Sequence, residues 1–128
     1  MTGTGAGTVL VIDDDDDIRD FMELGLRDAG YCVLSAENGA SALDVLARSR
    51  SDLILLDMRM PVMDGWAFAR AYHQNPPPHV PIVVVTAAQD AAERASEIGA
   101  NGYLSKPFDL DDLTAAVRRY LESESSPP

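Results

Sequence analysis

The chain holds one cysteine, Cys32, among 128 residues. A lone thiol excludes an internal disulfide framework and suits a reducing, cytoplasmic setting. Cys32 lies in an apolar stretch, so it is expected to be a small buried hydrophobe rather than a reactive thiol. Basic residues are also scarce: 10 Lys and Arg stand against 21 Asp and Glu, for a net charge of -11. That balance argues against direct nucleic-acid binding, which depends on neutralising phosphates. It argues equally against docking on an anionic membrane surface. No run reaches the ~18 apolar residues of a membrane span. The opening MTGTGAGTVL lacks the basic and apolar regions of a signal peptide. There is no repeat, no linker to a second domain and no Gly-Lys-Ser/Thr motif. Gly3, Gly5 and Gly7 precede the first strand, so they are no phosphate-cradling loop, which must follow one.

What is present is enough for one domain with a single core. Short apolar runs alternate with helical patterns. Strands are expected at Thr8–Ile12, Tyr31–Ser35, Leu53–Leu56, Ile82–Val85 and Tyr103-Leu104. Ile18, Phe21, Met22, Leu26 and Ala29 recur at helical spacing, with Gly30 as the stop. Ala42, Leu43, Leu46 and Ala47 mark a second helix and Trp66–Tyr72 a third, broken by Asn75-Pro-Pro-Pro-His79. A fourth helix spans roughly Asp90–Ile98. Leu110, Leu113, Ala116, Val117, Tyr120 and Leu121 define a fifth. The strands are apolar throughout rather than alternating, so both faces of the sheet are covered. The fold class is α/β: one doubly wound (βα)5 domain around a parallel five-stranded sheet. Residues 8–122 form the domain, and flexible tails are expected at 1–7 and 123–128.

Ligands of such sheets bind beyond the carboxyl ends of the strands. Asp13 and Asp14 follow the first strand, Asp57 ends the third, Thr86 closes the fourth, and Lys106 follows the fifth. The stretch VIDDDDDIRD places five like charges in a row, which repel by roughly 1 kcal/mol per close pair in water. Asp15, Asp16 and Asp17 suit the positive end of the first helix. Asp13 and Asp14, with Asp57, call for a cation. A hard divalent ion with oxygen ligands, Mg²⁺, satisfies them and also accepts phosphate oxygens. A nucleophile, a metal, an ammonium and a hydroxyl are the parts of phosphoryl transfer. Asp57, central among the strand ends, is the expected nucleophile.

At these residues the chain resembles the receiver domains of two-component response regulators, including the chemotaxis receivers. VLVIDDDDDIR, DLILLDMRMPVMDGW, IVVVTA and GANGYLSKPF carry the resemblance in order, over about Val9 to Leu121. The resemblance implies the flavodoxin-like strand order 2-1-3-4-5, for which a receiver is itself a standard example. It implies that Asp57 accepts a phosphoryl group from a phosphohistidine on a sensor histidine kinase or a phosphotransfer protein. Asp13, Asp14, Asp57 and the main-chain carbonyl of Arg59 would hold Mg²⁺ or Mn²⁺. Thr86 and Lys106 would bind the phosphoryl oxygens, and Thr86 and Tyr103 would switch the face made by helix four, strand five and helix five. The Lys106-Pro107 bond is expected to be cis, and the Arg59 side chain lies at a position thought to influence phosphoryl lifetime. The chain would be a cytoplasmic signalling phosphoacceptor rather than an enzyme, either stand-alone or cut from a longer protein. A downstream protein partner and a homodimer through the last helices are further options the resemblance brings.

Two other readings compete. A phosphatase of the haloacid dehalogenase type would use Asp13 and Asp15, although Asp17 stands where Thr or Val is usual. A receiver-like module that is never phosphorylated would not need Asp13, Asp14, Asp57, Thr86 and Lys106 together. An EF-hand starting at Asp13 fails, with Ile18 at its sixth position and Leu24 at its twelfth. Trp66, Phe108 and the Met58, Met60, Met63 group are expected to pack, and His73 and His79 to lie at the surface.

Overall fold

The computed structural model describes residues 7–87 and 89–125, with side chains described to Leu121. The elements alternate strictly: β1 (Thr8–Ile12), α1 (Asp16–Asp28), β2 (Cys32–Ala36), α2 (Gly39–Arg48) and β3 (Leu53–Leu56). They continue with α3 (Gly65–Gln74), β4 (Ile82–Ala87), α4 (Ala91–Ile98), β5 (Gly102–Lys106) and α5 (Leu110–Ser125). The five strands form one parallel sheet in the order β2-β1-β3-β4-β5.

Period-two alternation sorts the strand side chains to two faces. Leu10, Ile12, Ile54, Leu56, Ile82 and Val84 pack with Ala42 of α2, Phe68 and Tyr72 of α3, and Ala95 of α4. Val9, Val11, Leu53, Leu55, Val83 and Val85 pack on the other face with Met22 and Leu26 of α1 and with Leu113 and Val117 of α5. This double cover is why the strands read as continuous apolar runs. Each fully buried Leu, Ile or Phe contributes ~1.5–3 kcal/mol. The three central strands, β1, β3 and β4, each bury four aliphatic side chains, and the aspartates directly follow two of them.

Several boundaries differ from the sequence expectation. β2 starts one residue later and includes Ala36, while β5 extends over Gly102–Lys106 because it pairs along its length with β4. Of the expected tails at 1–7 and 123–128, residues 1–6 and 126–128 lie outside the described residues, and the backbone helix of α5 continues through Ser125. Gly30 and Gly99 do follow α1 and α4 in the left-handed region, with φ of 101° and 66°. Cys32 corrects its expectation: it is exposed. It opens β2, an edge strand whose burial rises only from Val33 onward.

Candidate functional site

Asp13 and Asp57 continue the ladder just past their strands. The Asp13 N–H donates to the Ala36 carbonyl at 3.1 Å, and the Asp57 N–H donates to the Ile12 carbonyl at 2.9 Å. Two rigid, buried strands thus fix both carboxylates. Asp13 is 1% exposed and Asp57 6% exposed, whereas Asp14 faces solvent. One carboxylate oxygen from each of Asp13, Asp14 and Asp57 lies within 4.8 Å of the other two. Lys106 is the sole lysine of the chain. Its Nζ lies 3.1 Å from Asp13 Oδ2 and 3.8 Å from Asp57 Oδ1. The bond that follows, Lys106-Pro107, is cis as expected.

One ammonium for three carboxylates leaves the pocket negative. Burial, and after it the charge of Asp13, push the Asp57 carboxyl up to about 6 from an ordinary 3.8. Lys106 and the Arg59 N–H, which donates to Asp57 Oδ1 at 3.5 Å, pull the other way. A hard divalent cation fits this donor set, because all the donors are oxygens and their net charge is uncompensated.

Thr86 is buried on the same edge of the sheet. It pairs with Ser105 in register, one step before the Ala87–Lys106 pair. Tyr103 pairs with Val84, further back along β5, and is 51% exposed. The structure therefore gathers Asp13, Asp14, Asp57 and Lys106 closely, sets Thr86 beside them, and leaves Tyr103 outside the pocket. The Arg59 side chain is exposed.

The remaining aspartates of the acidic run are accounted for by the helix. Asp15 is the N-cap of α1 and accepts from the N–H groups of Asp17 and Ile18, with Asp16 and Asp17 in the first turn. Asp15 Oδ1 accepts both capping bonds, so the second carboxylate of the phosphatase reading serves as a helix cap, and it is not among the three carboxylates gathered in the pocket. Sequence reasoning missed Arg19, whose guanidinium donates to the Asp13 carbonyl at 2.7 Å and pins the turn. Its signal was a basic residue one turn into an otherwise acidic helix start.

The loop after Asp57 is held by close backbone contacts. The Met63 N–H donates to the Pro61 carbonyl at 2.7 Å, closing a tight turn centred on Val62 at φ 70°. That conformation is costly for a β-branched residue. The Met63 carbonyl then accepts from the Gly39 N–H at 3.0 Å. Met58 is fully buried, and Met60 and Met63 pack against the same core. Asp64 caps α3, and the Gly65 N–H donates to the Met58 carbonyl at 2.9 Å. A Cβ on Gly65 would meet Met58 Cα at 2.8 Å and the Asp57 carbonyl oxygen at 3.0 Å. Backbone atoms cannot swing aside as a side chain does. Gly65→Ala is expected to destabilise the fold by on the order of 1–3 kcal/mol, as overpacking does. Urea unfolding of the two proteins checks this; an unchanged midpoint contradicts it.

Trp66 and Phe108 pack, as expected. The Trp66 Nε1–H donates to Glu97 Oε1 at 2.8 Å, and the Arg94 guanidinium stands 5.5 Å over its ring, tying α3 to α4. Phe108 lies 6.1 Å from Phe21. Beside Lys106, a groove of about 450 Å³ is lined by Ile18, Phe21, Ala87, Pro107 and Phe108. Phe21 and Leu24 are 43% and 67% exposed along the same side of α1. Among the described residues no helix is long and apolar enough to cross a membrane.

The comparisons agree with this geometry. The family model "Response regulator receiver domain" matches residues 9–118. The DNA-binding transcriptional regulator NtrC of Escherichia coli K12 is 44% identical over 117 residues, which are 90% of this chain and 25% of NtrC. The transcriptional regulatory protein PrrA of Mycobacterium tuberculosis is 39% identical over 127 residues, covering 98% of this chain and 54% of PrrA. The chain thus spans about a quarter of one relative and about half of the other. Among solved structures, the chemotaxis response regulator CheY4 of Vibrio cholerae superposes with a TM-score of 0.81 at 34% identity, covering 89% of this chain and 98% of that one. A putative response regulator from Chloroflexus aurantiacus gives 0.83 at 35% identity, covering 91% and 98%. With the receiver family model matched over residues 9–118 and these likenesses beside it, the chain belongs to the response regulator receiver domains of two-component signalling.

Proposed function

We propose that Asp57 is the phosphoacceptor of this receiver and that residues 8–122 form the unit that carries the reaction. The observation behind this is the buried Asp57 carboxylate beside Asp13, Asp14 and Lys106. A carboxylate oxygen of Asp57 attacks the phosphorus of a phosphohistidine on a sensor kinase or phosphotransfer protein. A P–O bond forms, the P–N bond breaks, and the departing imidazole takes up a proton. Lys106 offsets the charge that builds on the phosphoryl oxygens, and the Thr86 hydroxyl donates to one of them. Asp13, Asp14, Asp57 and the Arg59 carbonyl would hold Mg²⁺, for which Mn²⁺ can substitute. When bound, that ion supplies further neutralisation of the phosphoryl oxygens. Kinases draw on the cytoplasmic ATP pool, and we place the protein there.

The donor must overlie the rim of the pocket to reach Asp57. The apolar groove beside Lys106, continued by exposed Phe21 and Leu24, is the surface it would cover. On phosphorylation the added group brings about -1.5 to -2 charges. Thr86 moves toward it, Tyr103 turns inward from its exposed position, and the face of α4, β5 and α5 changes for a downstream partner.

Acetyl phosphate with Mg²⁺ tests the chemistry without a kinase. The expected result is an intact-mass gain of one phosphoryl group, labile to hydroxylamine and mapping to the peptide containing Asp57. No mass gain, or a label on Asp13, contradicts the reading.

A further inference from the structure

The sequence separates His73 and His79 by a proline-rich loop, and the fold brings their rings together. His73 closes the last turn of α3 and His79 follows the loop before β4. Their ring centres stand 5.4 Å apart, nearly edge to face at 75°. Tyr72 braces both, at 5.1 Å from His79 and 5.8 Å from His73. Tyr72 is itself fixed, since its hydroxyl accepts from the Val80 N–H at 2.8 Å and its ring stacks on buried Phe68. Both imidazoles are exposed and open to solvent.

A second observation fixes the tautomer. His79 Nε2 lies 2.8 Å from the Asn75 main-chain oxygen. A carbonyl oxygen only accepts, so Nε2 carries the hydrogen and neutral His79 presents its lone pair on Nδ1. A backbone carbonyl holding the far ring nitrogen is the usual support of a metal-ligating histidine. The spacing also suits coordination. Two imidazoles on one tetrahedral ion, each with a metal–nitrogen bond of ~2.0–2.1 Å, hold their ring centres about 5 Å apart. The charge of the surroundings does not oppose a cation: the chain carries -11, and Glu97 lines the same groove as His73 alongside the opposing Arg70.

We propose that His73 and His79 form a site for a borderline divalent transition metal, Zn²⁺, Ni²⁺ or Cu²⁺, separate from the acidic pocket. Two imidazole nitrogens supply two ligands and water completes the sphere. The two sites differ in kind. Carboxylate oxygens select hard Mg²⁺, whereas imidazoles select borderline ions and bind Cu²⁺ more tightly than Zn²⁺ or Ni²⁺. The bound ion would clamp the end of α3 to the start of β4. None of this depends on Asp57 being the phosphoacceptor.

Titration calorimetry with ZnCl₂ in saturating MgCl₂ tests the proposal on the full chain. One Zn²⁺ per chain is expected, weakened on the order of ten-fold or more by either His73→Ala or His79→Ala. Asp13→Asn should leave it unchanged. Nitrogen NMR should show the His79 Nδ1 signal moving while Nε2 stays protonated. The two histidines are exposed, so the variants should keep their fold by circular dichroism; His79→Gln replaces the alanine if the loop loosens. Absence of Zn²⁺ binding, its persistence in the double histidine variant, or its loss in Asp13→Asn overturns the site.

Discussion

Asp57→Asn is expected to take up no phosphoryl group from acetyl phosphate, and to be more stable than the wild type in metal-free buffer above pH 6. The first effect follows from losing the nucleophile: an amide oxygen at the same place carries no charge to attack with. The second follows from linkage. The folded state raises the Asp57 carboxyl to about 6 from 3.8, so folding disfavours its charged form. Below the unfolded value the group is protonated in both states and costs nothing. Between the two values the unfolded chain has ionised while the folded state keeps its proton, so stability falls as the pH rises, and above about 6 the native state holds a buried carboxylate beside Asp13 and the loss levels off. Removing that charge returns on the order of 1–2 kcal/mol at neutral pH, allowing for screening by solvent at the open edge of the pocket. Thermal melts of both proteins in EDTA between pH 4 and 8 read this directly. The gap should open between about pH 4 and 6, level off above 6, and close when Mg²⁺ is added, because binding to the native state stabilises the wild type. A gap that widens on acidification contradicts the sign, and undiminished labelling of the variant moves the reaction elsewhere.

Lys106→Met should slow labelling by acetyl phosphate about 10²–10³-fold, the usual penalty for removing one charged or hydrogen-bonding stabiliser of a transition state. The methionine keeps the length and apolar stem of the side chain but no charge. Lys106 is within 3.1 Å of Asp13 and 3.8 Å of Asp57, and those carboxylates would face each other uncompensated without it. Mg²⁺ should therefore bind at least as tightly as in the wild type, since the competing cation is gone. Opposite movements of rate and metal affinity separate a role in the transition state from damage to the pocket. If the rate is unchanged, Lys106 serves only as a counter-ion of the resting fold.

The strands and the site were largely legible in the sequence because both obey local rules. Runs such as LILL and IVVV are apolar at every position only when helices cover both faces of a sheet, and the polar residue after each run then falls on one edge. The position of Cys32 was not legible, because YCVLS reads as buried until the strand order puts β2 at the edge. Tight backbone approaches were hidden too. Nothing in MRMPVMDGW announces that Gly65 must lie against Met58, or that Val62 must adopt a positive φ. The same holds for contacts across helices, such as Trp66 with Glu97, and for the meeting of His73 and His79, which depends on the path of the intervening loop. These are facts of three-dimensional closure, and no periodicity encodes them.

The placement of the lysine has a consequence for synthesis. As the nascent chain leaves the ribosome, β1 and β3 emerge with their aspartates long before β5. The only ammonium able to offset them arrives with residue 106, on the far edge strand. Until then the growing sheet holds a cluster of like charges that works against its own assembly. The last strand added thus does two jobs at once: it completes the hydrogen-bonded layer and offsets part of the pocket's charge. A chain interrupted before that point would lack both the edge strand and its charge partner for Asp13 and Asp57.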